Sequence, residues 1–404
     1  MTQPSPIIDL KGILDQYANN MKERSEHHLG YPYTLGQDWS ELASITGFSI
    51  NNLGDPFVES NYGVQSRYFE LEVLRWFAKL WHLPNDKMWG YVTACGTEGN
   101  MQGILLGRDL LKQMNGLMPV LIASHESHYS VFKAARMFGM DAVRISTRED
   151  GEMDYEDLLA RVSSEQRDIV LSMNIGTTVR GAVDHVDRAI NVLTKAGYRP
   201  HNSSSKSPKF FVHCDGALNG IMIPFVEGGA YKQFDFTRPI GSIAVSGHKF
   251  LGTPMPCGVV IARSADINAT MTAKNNIEYL SSIDSTIMGS RNGHAPVYMW
   301  YAISMKGHTG IRDDVERCIS NARSLRDMLV ASGVRRVLLN PHSCTVVFER
   351  PENNDFVHRW QLACQGDVAH VVVMPCVTLK MLDLFVSELR DSGKNGVLSR
   401  SSSS

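Results

Sequence analysis

The sequence lacks any cysteine pair at the C-x-x-C spacing, and its seven cysteines are scattered and odd in number. This pattern fits neither a disulfide framework nor a zinc knuckle, so we interpret the cysteines as reduced thiols and expect no metal site.

The formal net charge of only -2 leaves no broad basic surface for nucleic acid. No window approaches the roughly 18 uninterrupted apolar residues of a membrane span, and residues 1–10 lack a signal-peptide pattern. We therefore expect a soluble cytoplasmic protein without a nucleic-acid or membrane partner.

The middle of the 404-residue chain alternates short apolar runs with helical stretches. The runs span residues 91–93, 120–123, 142–145, 169–172, 210–213, 243–245 and 258–261. This alternation predicts an α/β fold with a large, mainly parallel seven-stranded sheet that helices cover on both faces. In such sheets ligands bind beyond the carboxyl ends of the strands, and we look for chemistry there.

The pattern changes after residue 300 to a long helix near 313–332, strands near 345–348 and 369–373, and a helix near 378–390. This order predicts a small C-terminal α+β domain at residues 301–391, after an N-terminal segment at 1–60 and a large domain at 61–300. We expect residues 392–404 to be a disordered tail. The polar stretch 201–209 is predicted to be a solvated surface insertion.

Lys249 stands directly after a predicted strand, in Ser246-Gly247-His248-Lys249. A lysine forms an imine with a cofactor aldehyde only when its amine loses a proton, and partial burial lowers its pKa enough to allow that. Asp215 likewise follows the strand near 210–213. A buried carboxylate needs a cationic partner, for which we suggest a pyridinium nitrogen. The alternatives are an exposed surface lysine and an aspartate that caps a turn.

Three further polar clusters follow the preceding strands. Gly96, Thr97 and Glu98 open a helix whose free N–H groups suit a phosphate, although a plain helix cap is common at such turns. His128 suits stacking on a flat ring, or is a satisfied surface histidine. Asn174-Ile175-Gly176-Thr177-Thr178 brings hydroxyls to the next strand end. Together the five clusters supply what pyridoxal 5'-phosphate (PLP) requires: a phosphate cradle, a ring stacker, an aspartate and a lysine.

These motifs resemble those of the PLP-dependent group II amino-acid decarboxylases, which have the aspartate aminotransferase fold (fold type I). The resemblance covers about residues 30–377, and its specific stretches lie at 48–52, 96–100, 128–130, 174–178, 246–249 and 289–294. It implies that Lys249 forms the imine with PLP, His128 stacks on the ring and contacts the substrate, and Asp215 pairs with the ring nitrogen. Further PLP contacts are implied for Ala217 beneath the ring, for Thr97, Ser246 and His248 at the phosphate, and for Gly96, Glu98 and Thr177.

The same resemblance implies a homodimer with active sites at the subunit interface. Tyr279, on a loop, is expected to protonate the reacting carbon in the neighbouring subunit's site, and Ser290 to reach the neighbour's phosphate. A core tyrosine is the alternative interpretation of Tyr279. The resemblance also implies that the substrate pocket is lined by Tyr31 and Tyr33 in the early loop and by His370 in the late strand, with Tyr33 and His370 as substrate-binding residues.

Residues 52–63 and 359–367 bring the chain closest to the plant-type serine decarboxylases, which share their motifs with bacterial histidine decarboxylases. We therefore expect decarboxylation of a small L-amino acid, with serine giving ethanolamine and CO2, and with histidine as the first rival substrate. An aminotransferase or an aldehyde-forming decarboxylase is a further alternative, because one PLP scaffold supports several bond cleavages. A catalytically inactive binding homologue is the alternative of another class, against which the intact Lys249 and Asp215 argue.

Overall fold

The computed structural model describes residues 9–201, 208–226, 233–271 and 276–400. The strands are β1 (Asn51–Leu53), β2 (Met88–Thr93), β3 (Val120–Ser124), β4 (Ala142–Ile145), β5 (Ile169–Asn174), β6 (Phe210–Asp215), β7 (Ile240–Ser246), β8 (Gly258–Arg263), β9 (Asn276–Ile277), β10 (Ser282–Ile283), β11 (Ser290–Asn292), β12 (Leu338–Leu339), β13 (Thr345–Glu349), β14 (Ala363–Gln365) and β15 (Val368–Val372). The helices are α1 (Leu10–Ser25), α2 (Arg67–Leu80), α3 (Gly96–Asn115), α4 (Tyr129–Met137), α5 (Tyr155–Ser164), α6 (Val186–Lys195), α7 (Asn219–Met222), α8 (Ser264–Thr270), α9 (His294–Ala331), α10 (Asn354–Arg359) and α11 (Leu379–Arg400).

Seven strands form the large sheet in the order β2-β8-β7-β6-β5-β3-β4. Strands β7, β6, β5, β3 and β4 pair in parallel, whereas β8 runs antiparallel to both of its neighbours, β7 and β2. The mainly parallel seven-stranded sheet predicted from the sequence is confirmed, and each predicted apolar run lies within one of these strands.

Alternate residues of the central strands enter two different hydrophobic cores. In β5, Ile169 and Leu171 pack into the core on one face of the sheet, whereas Val170 packs into the core on the other face. Every residue of β5 is buried, which is why the sequence shows a continuous apolar run here rather than an alternating pattern. Burying one such side chain contributes about 1.5–3 kcal/mol, so the two cores together hold the strand ends in fixed relative positions.

Helix α3 packs on the sheet through a face of glycines. A methyl group added at Gly99 would lie 2.8 Å from Cβ of Ala244 in β7, and one added at Gly107 would lie 2.6 Å from the ring of Phe211 in β6. Only glycine permits this close approach of helix and sheet. The first turn of α3 consequently lies at the carboxyl ends of the central strands, beside the other polar clusters.

The small domain contains a four-stranded antiparallel sheet in the order β12-β13-β15-β14. Strands β13 and β15 match the two predicted strands, whereas the short edge strands β12 and β14 were not predicted. The predicted helix at 313–332 is the second part of α9, whose backbone leaves helical geometry at Gly307 with φ 61° and ψ -178°. The predicted domain boundary at residue 300 therefore falls inside α9, before this break.

Two segments differ from the expectation. His201 is not solvated: its Nε2 atom lies 2.8 Å from Oδ1 of Asp266, and both side chains are buried, because each offers the other a polar partner. The rest of that insertion at 202–207, and residues 401–404 of the tail, lie outside the described residues. Helix α11 continues to Arg400 in place of the disorder predicted for 392–400, since extending an existing helix costs far less than starting one. In the described part of the chain, no helix combines the length and apolarity needed to cross a membrane.

Candidate active site

A cavity of about 570 Å³ lies at the carboxyl ends of β2, β3, β5, β6 and β7. Its volume is in the range of small-molecule sites. It brings together most of the side chains predicted from the sequence: Tyr33, Gly96, Thr97, His128, Thr177, Asp215, Ala217, Ser246, His248, Lys249 and His370. Glu98, Tyr279 and Ser290 do not line it. A wider groove of about 740 Å³ lies against α2 and α9 and contains none of these residues.

Lys249 follows β7 after a short turn and lies in the same cavity as Asp215. Burial lowers the pKa of the lysine amine, and the charge of the Asp215 carboxylate opposes that shift. The backbone carbonyl of Lys249 accepts a hydrogen bond from the Thr34 backbone N–H at 3.1 Å, which fixes the turn. A lysine with a lowered pKa supplies the neutral amine that an imine with an aldehyde requires.

Asp215 is the last residue of β6 and is only 6% exposed. Its two carboxylate oxygens accept separate hydrogen bonds. Oδ1 accepts the Ala217 backbone N–H at 3.1 Å, and Oδ2 accepts the Asn100 side-chain amide at 2.7 Å. Both oxygens therefore act as acceptors, and a buried carboxylate requires a cationic or proton-donating partner. The protonated ring nitrogen of PLP fits this requirement.

The first turn of α3 forms a cradle beside the end of β7. A methyl group added at Gly96 would lie 2.5 Å from Oγ of Ser246 and 3.6 Å from Cβ of Ala217. The first N–H groups of a helix have no partner within the helix, and here the hydroxyls of Thr97 and Ser246 line the same cavity. Because Gly96 has no side chain, a phosphate can approach the backbone N–H groups and the two hydroxyls. This arrangement fits the phosphate of PLP.

The side chain of Glu98 does not line the cavity and instead caps helix α3. Its carboxylate accepts hydrogen bonds from the Ala94 backbone N–H at 2.6 Å and from the Tyr91 hydroxyl at 2.9 Å, and burial raises its pKa. The side chain thus folds back over the start of α3 as a cap. The carboxylate is thus engaged at the start of its own helix, and a contact between the Glu98 backbone N–H and the cofactor phosphate stays a prediction.

His128 immediately precedes α4. Its Nδ1 atom lies 2.7 Å from the Ser130 hydroxyl and accepts the Ser130 backbone N–H at 3.3 Å. Burial lowers the pKa of the imidazole, while Asp215 opposes this shift and Lys249 reinforces it. A neutral, flat imidazole in the cavity suits stacking on a pyridine ring.

The turns around the cavity hold His248 and Thr177. Nδ1 of His248 lies 2.9 Å from the carbonyl oxygen of Cys257, and Oγ1 of Thr177 accepts the Ala182 backbone N–H at 3.1 Å. Both residues line the cavity, and their contacts with the cofactor stay predictions that this geometry permits.

One wall of the cavity is the loop that carries Tyr31 and Tyr33, whose rings stack with centroids 6.4 Å apart. Nε2 of His370 in β15 lies 3.1 Å from the Gly30 carbonyl oxygen, so this loop is attached to the small domain. At its other end, Thr34 bonds to the backbone at Lys249. His370 therefore positions the tyrosine loop, and direct contact of His370 or Tyr33 with the substrate stays a prediction.

Tyr279 and Ser290 lie at the surface of the chain. Tyr279 is 82% exposed, and Ser290 is exposed at the start of β11. Tyr279 is therefore not a core tyrosine of this chain, and that alternative is removed. The predicted roles of both residues concern a neighbouring subunit's site and stay predictions.

The sequence interpretation missed three buried residues that support the site: Asn100, Ser130 and His213. Asn100 bonds to Asp215 and to Ser130, and Ser130 bonds in turn to His128. Periodicity is the signal that could have identified two of them. Asn100 lies one helical turn after Gly96, and His213 lies two residues before Asp215, on the same face of its strand.

Comparison with known proteins agrees with this geometry. A family model described as "Pyridoxal-dependent decarboxylase conserved domain" matches residues 33–350. Serine decarboxylase 1 of Oryza sativa subsp. japonica is 50% identical, with 95% of this chain and 76% of the relative covered. A histidine decarboxylase of Solanum lycopersicum is 44% identical, with 94% and 88% covered. A solved structure of L-methionine decarboxylase from Streptomyces sp.590 has a TM-score of 0.86 at 25% identity, with 96% of this chain and 97% of that chain covered. The chain therefore belongs to the family of pyridoxal-dependent decarboxylases, with pyridoxal 5'-phosphate as its cofactor.

Proposed function

We propose that this chain decarboxylates L-serine to ethanolamine and CO2. The observation that carries the proposal is the wall of the cavity, to which Tyr31, Tyr33 and Tyr129 all contribute. Their rings limit the volume left for a substrate side chain, and their hydroxyls suit a small polar one. The 50% identity to a rice protein named serine decarboxylase supports the same substrate.

We assign three side chains to the cofactor ring: Lys249 binds it covalently, Asp215 pairs with its nitrogen and His128 stacks on it. Ala217 packs beneath the ring. The phosphate is held by the first turn of α3 and by polar side chains nearby, which are Thr97, Thr177, Ser246 and His248. Bound PLP supplies an electron sink for the electron pair that remains when a bond to the substrate Cα breaks.

The bond that breaks depends on how the chain holds the substrate. Residues that hold the substrate carboxylate would decide whether the Cα–carboxyl bond or the Cα–H bond is the one that the cofactor's electron-withdrawing chemistry weakens. The carboxyl group leaves as CO2, its bonding electrons stay on Cα, and a proton is added there to give the amine. We assign orientation of the carboxylate to His128 and delivery of the proton to the partner subunit's Tyr279.

Product analysis with L-amino acids deuterated at Cα tests the proposal. L-Serine should give ethanolamine that retains its deuterium, with CO2 and amine in equal amounts, because the Cα–H bond stays intact. A keto acid, an aldehyde or loss of the deuterium would indicate aminotransfer or aldehyde-forming chemistry and contradict the proposal. Absence of any product, together with absence of imine absorbance, would indicate the inactive binding homologue.

L-Histidine is the second candidate substrate, because a tomato histidine decarboxylase is 44% identical to this chain. An imidazole needs more room than a hydroxymethyl group, and the tyrosine wall restricts that room. Competition between equimolar serine and histidine compares the two kcat/KM values directly. An excess of ethanolamine supports serine, and an excess of histamine would assign the activity to histidine instead.

We further propose a homodimer with active sites at the subunit interface. Helix α1 buries none of its residues against its own chain. It carries an exposed apolar stripe at helical spacing, which consists of Leu10, Ile13, Leu14, Tyr17 and Met21. A second subunit would cover this stripe, and the exposed Tyr279 and Ser290 would then reach the neighbouring site. Light scattering that gives the mass of a single chain would contradict the dimer.

We propose the cytoplasm as the location of the protein. All seven cysteines are free thiols, and compartments that keep thiols reduced include the cytosol. Cell fractionation followed by immunoblotting tests this location, and recovery of the protein outside the cytosolic fraction would contradict it.

A further inference from the structure

Asn100 lies in the second turn of α3, is only 1% exposed, and contacts three polar side chains with one amide group. Its Nδ2 atom lies 2.7 Å from Oδ2 of Asp215 and 3.0 Å from Oγ of Ser130. Its Oδ1 atom lies 3.0 Å from Nε2 of His213. Both amide protons and the amide oxygen are therefore engaged, so the amide has one orientation.

The carboxylate of Asp215 determines the direction of these hydrogen bonds. An ionised carboxylate only accepts, so the amide nitrogen of Asn100 faces Asp215 and the amide oxygen faces His213. His213 must then donate from Nε2, and its Nδ1 accepts from the Ser242 hydroxyl at 2.8 Å. Burial lowers the pKa of His213 to about 4, which agrees with a neutral ring that carries a single proton.

The second branch runs from Asn100 to His128. Oγ of Ser130 accepts from Asn100, which leaves the serine proton for Nδ1 of His128 at 2.7 Å. The backbone N–H of Ser130 can only donate, and it also points at Nδ1. Nδ1 of His128 is therefore an acceptor, so the neutral ring carries its proton on Nε2.

We propose that Asn100 is a positioning residue that holds the Asp215 carboxylate toward the cofactor ring nitrogen and, through Ser130, reinforces the tautomer of His128. Its N–H donation to Oδ2 makes the carboxylate a weaker acceptor toward the cofactor, so the cofactor ring nitrogen keeps its proton. Through Ser130 it holds His128 with an N–H on Nε2. The inference rests on PLP as the cofactor and does not depend on which amino acid is the substrate.

The test uses the protein loaded with PLP that carries ¹⁵N in its pyridine ring, without substrate. In the parent protein the ring-nitrogen chemical shift should be that of a protonated pyridinium. Asn100→Leu removes both donors at similar volume, so the shift should move toward that of a neutral pyridine. Asn100→Ser keeps one hydroxyl donor and should give an intermediate shift. We expect kcat to fall by roughly tenfold to a hundredfold in Asn100→Leu, by analogy with the loss of outer-shell partners at metal sites.

Asn321→Leu is the matched control, because Asn321 is a buried amide of α9 that donates to the Val377 carbonyl at 3.1 Å in the small domain. It should lower stability without moving the ring-nitrogen shift. An unchanged shift in Asn100→Leu would overturn the inference, and if that variant does not fold, an unchanged shift in Asn100→Ser does so. A parent protein that binds PLP without imine absorbance would contradict the assignment of Lys249 instead, so the two failures are distinguishable.

Discussion

The backbone of Gly103 passes so close to the imidazole of His213 that a methyl group added at Gly103 would lie 2.1 Å from Nδ1. The same methyl group would lie 2.6 Å from the Ser242 hydroxyl, which is the hydrogen-bond partner of that Nδ1 atom. The absence of a side chain at residue 103 thus allows α3 to carry both the phosphate cradle and Asn100 against β6. Packing at Gly103 and the position of the Asn100–His213 pair are therefore connected.

Gly103→Ala should destabilise the protein and disturb Asn100. Alanine is favoured over glycine in a helix by about 1 kcal/mol, but overpacking of a buried contact costs about 1–3 kcal/mol, and here it displaces a hydrogen-bonded histidine. We expect a lower free energy of unfolding in urea and a weaker imine absorbance. Gly310→Ala in α9 is the control, because the added methyl group meets only the Lys306 side chain, at 3.4 Å. If Gly103→Ala raised the free energy of unfolding as much as Gly310→Ala does, the close contact at Gly103 would be contradicted.

His213 should make stability depend on pH. Its folded-state pKa of about 4 lies below the usual value of 6.5, so the unfolded chain takes up a proton first as pH falls. The stability that His213 contributes is complete above pH 6.5 and is lost as pH falls toward 4. Asp184, whose pKa burial raises to about 6, acts in the opposite sense, because its contribution is lost as pH rises through that value.

The difference between the parent protein and His213→Gln isolates the histidine, since the contribution of Asp184 cancels. Between pH 7 and pH 5 the destabilisation caused by the substitution should shrink by roughly 2 kcal/mol, the value expected when only the unfolded state titrates. Urea unfolding at both pH values measures it. A destabilisation independent of pH would mean that His213 is not held neutral.

Gly96→Ala should weaken cofactor binding. The added methyl group would lie 2.5 Å from Oγ of Ser246, so one of the two must move within the phosphate cradle. We expect Kd for PLP to rise roughly tenfold to a hundredfold, which corresponds to a loss of about 1–3 kcal/mol. Titration of the apoprotein followed by absorbance measures Kd. When Ser246 is already alanine, Gly96→Ala should raise Kd for PLP by a smaller factor. An equally large rise in Kd would mean that the contact with Ser246 does not cause the weaker binding.

Tyr279 should act in the neighbouring subunit. Lys249→Ala is expected to abolish both amine release and imine absorbance, whereas Tyr279→Phe should keep the absorbance and reduce amine release. A heterodimer of the two variants can be purified with two different tags. Its Tyr279→Phe subunit keeps Lys249, and its Lys249→Ala subunit keeps Tyr279. One complete site therefore forms only if Tyr279 acts across the interface. The heterodimer should then show about half of the parent activity, since one of two symmetric sites is complete. Activity no higher than that of Tyr279→Phe would place the tyrosine in its own subunit's site.

The placement of Lys249, Asp215 and His128 at one edge of the sheet could be predicted from the sequence because each closely follows an apolar run. The carboxyl ends of parallel strands meet at one edge of a sheet, so linear order translates into spatial proximity. The link between Asn100 and His213 could not be assigned in this way. It depends on which helix lies over which strand, a tertiary property that no local pattern encodes.

Glu98 illustrates a different limit. A carboxylate in the first turn of a helix fits a cap and a binding site equally well in sequence, and only its contacts with Ala94 and Tyr91 show that this side chain is a cap. Strands β12 and β14 were missed because they are short and are stabilised by pairing with β13 and β15 rather than by their own composition. The long core strands were predicted because burial on both faces imposes a strong apolar signal.

The proposed covalent bond between Lys249 and PLP underlies every role assigned to the other site residues. Borohydride reduction of PLP-loaded protein converts the imine to a stable secondary amine, and peptide mapping by mass spectrometry then locates the pyridoxyl group. We expect a single labelled peptide that contains Lys249, and no labelled peptide from Lys249→Ala treated in the same way. A label on another lysine of the parent protein, or no label at all, would contradict this assignment.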